Sequence, residues 1–96
     1  SSEEALVKGI VTVRGKPATS GDVVFDPSNI RRPDAQPRRA PIGPDGSYTI
    51  TTLVGGNVVS VSGPKFDRDE AVGTAQFPYD VPAGESEFNL TLPRTP

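Results

Sequence analysis

Residues 43–63 read GPDGSYTITTLVGGNVVSVSG: a turn, a strand, a second turn and a second strand. In the first turn Pro44 pre-sets its own φ, Asp45 can bond its own backbone, and Gly46 supplies a positive φ. Tyr48, Ile50 and Thr52 then alternate with Ser47, Thr49 and Thr51, the period of a half-buried strand. Gly55-Gly56 predicts a two-residue hairpin into a run where Val59 and Val61 alternate with Val58, Ser60 and Ser62.

The same grammar extends towards the N-terminus. Ala5, Val7, Gly9, Val11 and Val13 share one face of a Val-rich strand, with Lys8, Thr12 and Arg14 on the other. Residues 15–18, Gly-Lys-Pro-Ala, read as a turn. Val23 and Phe25 face one way and Asp22 and Asp26 the other, until Pro27 stops the strand. This second strand forms either a hairpin with the first or an inter-sheet connection, and the pattern does not choose. Residues 27–38 hold three prolines and predict a long loop, followed by a short edge strand near 39–43.

Towards the C-terminus, residues 63–74 predict a second long polar loop. Pro78 confines any strand around 76–79 to a sheet edge, because it lacks an N–H. In the last strand Ser86, Phe88, Leu90 and Leu92 oppose Glu85, Glu87, Asn89 and Thr91, and Pro93 ends it. No segment carries an apolar stripe at helical spacing. The expected architecture is therefore a single all-β sandwich over residues 5–92, with a disordered tail at 1–4, another tail at 93–96, and no substantial helix.

Composition agrees with one small domain. The chain has 96 residues, and its 10 glycines and 11 prolines punctuate apolar–polar runs rather than forming low-complexity tracts. The formal net charge of −2 argues against nucleic acid as a partner. No apolar run approaches the roughly 18 residues of a membrane span. With no cysteine, neither disulfides nor thiolate chemistry is available, and the redox compartment stays open.

The ordered motifs VKGIVTVRGKPA, SGDVVFDP, GPDGSYTITT and GGNVVSVSGPK resemble the carboxypeptidase regulatory-like domain, especially small versions in the envelopes of planctomycetes and related bacteria. Gly9, Val11, Gly15, Lys16 and Pro17 carry the first motif, and Val23, Val24, Phe25 and Pro27 the second. Asp45, Gly46, Tyr48 and Ile50 supply the third, and Phe77-Pro78-Tyr79 with Val81, Gly84, Phe88 and Leu90 looks like the closing segment. Gly55-Gly56-Asn57 departs from the family pattern. The resemblance implies a seven-stranded Greek-key sandwich of transthyretin-like (prealbumin-like) type. It also implies an extracytoplasmic location, in the cell envelope or secreted, often as a lipoprotein acylated upstream of the residues shown here.

Catalysis lacks its usual residue types. Without histidine or cysteine, Ser-His and Cys-His pairs are impossible, so no catalytic, cofactor or metal residues are expected. Hydroxyisourate hydrolases and intradiol dioxygenases resemble this topology, yet their chemistry needs histidines. Asp67, Arg68, Asp69 and Glu70 form one acidic cluster, whose two readings are a calcium site and a solvated loop. The cluster lacks the spacing of a calcium loop, and the solvated reading takes precedence. Arg31, Arg32, Arg38 and Arg39 could meet anions, but a solvated edge-protecting loop is the simpler reading. Among the aromatics, Phe25, Tyr48 and Phe88 fall on apolar strand faces, whereas Phe66 and Phe77, outside the clear strands, are the candidates for an exposed platform.

The expected function is thus a non-catalytic accessory or protein-interaction module of the cell envelope, meeting an unknown envelope protein or glycan. The alternative is a carbohydrate- or peptide-ligand-binding module using loops 27–38 and 63–74.

Overall fold

The first strand, β1 (Glu4–Val13), is the axis of one sheet, and its odd apolar residues are buried as alternation predicts. The computed structural model describes residues 3–94. Of the tail expected at 1–4, Glu4 opens β1 and the Glu3 carbonyl accepts the Val54 N–H at 2.9 Å, while residues 1–2 lie outside the described ones. At its far end Arg14 and Gly15 both adopt positive φ, 52° and 86°, the turn that suits a two-residue hairpin. The expected turn at 15–18 accordingly starts one residue earlier. Its return limb is β2 (Lys16–Pro17), with Val13 opposite Lys16.

Two sheets result. The five-stranded sheet has β5 (Ser47–Leu53) antiparallel to one side of β1, with β8 (Glu85–Glu87) and β9 (Leu90–Leu92) parallel to it. The four-stranded sheet runs β4–β3–β6–β7, comprising Arg38–Pro41, Asp22–Asp26, Gly55–Ser62 and Phe77–Val81. The predicted edge strands near 39–43 and 76–79 do occupy its two edges. β1 and β3 belong to different sheets, so the link between them is an inter-sheet connection.

Phe25, Val23 and Val59 from one sheet meet Val7, Val11, Leu90 and Leu92 from the other, forming one apolar core. Phe25 and Tyr48 touch across it, ring centroids 6.0 Å apart. Burying such side chains contributes about 1.5–3 kcal/mol each.

Two expectations about connectivity change. Gly55-Gly56 is not a hairpin: β5 pairs with β1 and β6 with β3 and β7, so the chain crosses between sheets there. Asn57, 3% exposed, holds this corner. Its amide donates to the Leu53 and Gly55 carbonyls, each at 3.0 Å, and its Oδ1 accepts from the Thr52 hydroxyl at 2.8 Å. Buried polar groups must be paired, and this crossing pairs three at once.

The last strand is also interrupted. Its register with β1 continues through the gap, but Phe88 turns its carbonyl over Gly9, where any Cβ would overlap it, and the Tyr48 hydroxyl donates to that carbonyl. Asn89 restores the ladder by accepting the Ile10 N–H at 2.9 Å. Nine strand segments among the described residues thus stand where seven strands are expected, through the tight β1–β2 hairpin and this break. The segment predicted as a loop at 63–74 holds two single-turn helices, α1 (Pro64–Asp67) and α2 (Glu70–Gly73).

Candidate functional site

The two long connections lie at opposite ends of the four-stranded sheet. Asp26, which leads into the loop from Pro27, stands opposite Val58, whereas Ser62, which leads into the helical segment, stands opposite Asp22. Four residues of strand separate them, about 13 Å. A single site using both loops 27–38 and 63–74 is therefore not formed, and each end stands alone.

At the first end the arginines brace the protein itself. Arg32 donates to the Val54 carbonyl at 2.7 Å, to Gly56 at 2.8 Å, and to Pro27, pinning the loop to the inter-sheet corner. Arg38 pairs with Glu4 at 2.6 Å, closing the side where β4 lies beside β5. Arg39 pairs with Asp22 at 3.3 Å. Of these four arginines, Arg38 and Arg39 form ion pairs, Arg32 is spent on carbonyls, and only the Arg31 guanidinium has no partner among the described residues. A tight turn, closed by the Arg32 N–H on the Asn29 carbonyl at 3.0 Å, presents Ile30 at 95% exposure.

The aromatics divide differently from expectation. Phe66 is not a platform: it is 4% exposed, its ring lying against Gly21, where a Cβ would come within 2.5 Å of it. Gly21 has φ +98°, so glycine there satisfies both the backbone and the ring. Tyr79 stacks on Phe88 at 4.2 Å, and Phe77 meets Phe88 edge-on at 6.4 Å. These half-buried rings fill the gap between the β7 edge and the β8–β9 edge. The Arg94 guanidinium lies over the Phe77 ring, 5.5 Å from its centroid. The three rings pack against the core, each partly buried.

The second end carries a cleft of about 220 Å³. One wall is the β1–β2 hairpin and its exit: Val13, Lys16, Pro17, Ala18, Thr19 and Ser20. The other is the helical segment, through Lys65, Phe66, Asp69 and Val72. Phe66 and Val72 anchor that segment in the core. Arg14 ties the walls together, donating to Asp69 Oδ2 through Nη2 at 2.7 Å and Nε at 3.2 Å. The hydrogen bond from Arg14 holds the Asp69 carboxyl below the usual carboxylate range.

With Asp69 so engaged, the acidic cluster at 67–70 loses its central donor. No three carboxylates converge on a metal position among the described residues. The cleft has an apolar floor and a polar rim, the composition of a small-molecule seat, slightly below the usual ~300–1,000 Å³. Sequence reasoning gave Lys16, Thr19 and Ser20 no ligand role, because their partners in the cleft lie more than forty residues away in the chain. The nearest signal was the pair Gly21 and Gly63, whose Cα positions pack close to Phe66 and to one another.

No family model and no curated protein matches this chain in sequence. Solved structures do match in fold. A DUF3823 family protein from Parabacteroides merdae superposes with a TM-score of 0.68 and 16% identity, over 95% of this chain and 46% of that one. A proposed carbohydrate-binding protein from Bacteroides uniformis gives 0.59 and 13%, over 93% of this chain and 41% of that one. The chain spans less than half the length of both proteins. The dioxygenase domain of a dioxygenase–carbohydrate-binding fusion from Streptomyces sp. SirexAA-E gives 0.56 and 18%, over 96% and 80%. At such identities the likeness is one of fold: an all-β sandwich.

Proposed function

We propose that this domain is a non-catalytic binding module that holds a saccharide in the cleft between its β1–β2 hairpin and its helical segment. The observation that carries the reading is the cleft itself: two walls anchored in one core and joined by Arg14 and Asp69, over a floor of Val13, Pro17, Ala18, Phe66 and Val72. A preformed seat loses little conformational entropy on binding. The fold shared with a proposed carbohydrate-binding protein supports the ligand class. The fold shared with a dioxygenase domain supports no catalytic reading, because a chain without histidine lacks residues that chemistry requires. The resemblance to envelope carboxypeptidase regulatory-like domains supports an extracytoplasmic setting. A glycan array probed with the 96-residue chain tests the proposal. At least one glycan class binds above background if it holds, and an array with no binder contradicts it.

A second reading, an accessory module that docks on another envelope protein, is favoured by the Ile30 turn at the opposite end. Ile30 is 95% exposed, beside Arg31, whose guanidinium has no partner among the described residues, on a turn braced by Arg32. A rigid apolar anchor with a neighbouring arginine has the character of an interface hot spot. Pull-down from envelope extract, with the Ile30→Ser variant alongside, tests it. A partner recovered by the native chain and lost by the variant supports this reading, and equal recovery removes Ile30 from it.

A further inference from the structure

The saccharide reading leaves the charge of the ligand open, and the rim of the cleft supplies it. Resting on that reading, we propose that the ligand is an acidic sugar, whose carboxylate is held between Lys16 and Lys65.

Two charged side chains besides these two bear on the site, Arg14 and Asp69, and they neutralise each other through two hydrogen bonds. Lys16 and Lys65 line opposite walls and are both exposed, and neither forms an ion pair among the described residues. The unpaired charge of the lining is therefore positive, although the whole chain carries −2. A carboxylate entering here gains two ammonium donors and displaces no existing salt bridge.

The remaining lining fits the body of the same ligand. Thr19 and Ser20 are exposed hydroxyls on the rim, able both to donate to and accept from ring hydroxyls. Pro17, Val13 and the edge of Phe66 offer apolar surface to the C–H face of a sugar ring. A neutral sugar would use the floor and the hydroxyls but leave both lysines solvated. The lysine contribution is that of exposed ion pairs, each modest and screened by salt.

Isothermal titration of the whole chain with a glucuronate-containing trisaccharide and with its neutral glucose counterpart separates the possibilities. The expected result is about tenfold tighter binding of the acidic sugar at low salt, an advantage that shrinks as salt rises. Lys16→Gln with Lys65→Gln should erase that advantage while leaving the melting temperature unchanged, since both side chains are exposed. Equal binding of the two sugars, or an acidic preference that survives the double substitution, overturns the inference while the saccharide reading stands. Binding of neither sugar overturns the inference, and the glycan array then decides the saccharide reading separately.

Discussion

The carbonyl oxygen of Phe88 occupies the space that a Cβ at position 9 would fill. That relationship makes Gly9 the point where the last strand is fastened to the first. It explains why β8 and β9 are separate segments although their register with β1 is continuous. Gly9→Ala must push a backbone oxygen out of the sandwich and break the Tyr48 bond with it. We expect a loss of about 3 kcal/mol of stability, read from urea unfolding. A loss below about 0.5 kcal/mol, the ordinary surface value, would contradict this fastening.

Tyr48 supplies the hydroxyl that receives the displaced carbonyl. Tyr48→Phe keeps the packing on Phe25 but leaves that carbonyl unpaired, and should cost about 1–3 kcal/mol. Burial, with smaller contributions from the charges of Tyr79 and Glu87, raises the Tyr48 hydroxyl pKa above its ordinary value. The folded state therefore keeps a proton that the unfolded chain releases near pH ~10. Stability from this group is fully present below that pH and falls as pH rises beyond it. Melting followed from neutral into alkaline solution should decline more steeply for the native chain than for Tyr48→Phe.

Asn57→Ala tests the inter-sheet corner. It strands the Leu53 and Gly55 carbonyls and the Thr52 hydroxyl in a buried position, and should cost about 3 kcal/mol. Chemical denaturation measures it. Ser86→Ala is the converse case: its hydroxyl is buried without a partner among the described residues, so removing it should leave stability unchanged or slightly raised.

Arg14 and Asp69 should matter to the cleft more than to the fold. Asp69→Asn is expected to leave the global melting temperature nearly unchanged while speeding amide exchange across residues 64–73. Because the Arg14 hydrogen bond depresses the Asp69 pKa, the bridge is intact above the ordinary carboxylate range, near pH ~4. It is lost as pH falls through the lower folded value. Exchange in this segment should therefore accelerate only in acid, and in Asp69→Asn the acid dependence should be absent.

Much of this was legible in the chain. Alternation identified the buried faces of Val7, Val23, Phe25, Tyr48, Ile50 and Val59, and Pro78 marked the edge at β7. Alternation states which face a residue occupies, not which strand lies beside it, so Gly55-Gly56 read as a hairpin where the chain changes sheet. Phe66 and Val72 are too few and too close for a helical period to show, and their segment read as a loop. Which arginines serve the fold depends on carbonyls more than twenty residues away, as with Arg32 and Val54. The cleft was invisible for the same reason: Lys16 and Lys65 come to line one cleft only through the tertiary fold.

The most direct measurement is an amide NMR titration of the chain with the best binder from the glycan array. Binding in the cleft predicts saturable shifts confined to the hairpin exit at 16–20 and the helical segment at 64–73, with the Ile30 turn and the 54–56 corner unmoved. Shifts concentrated at residues 29–32 and 54–56 instead, with the hairpin and helical segment silent, would contradict the account.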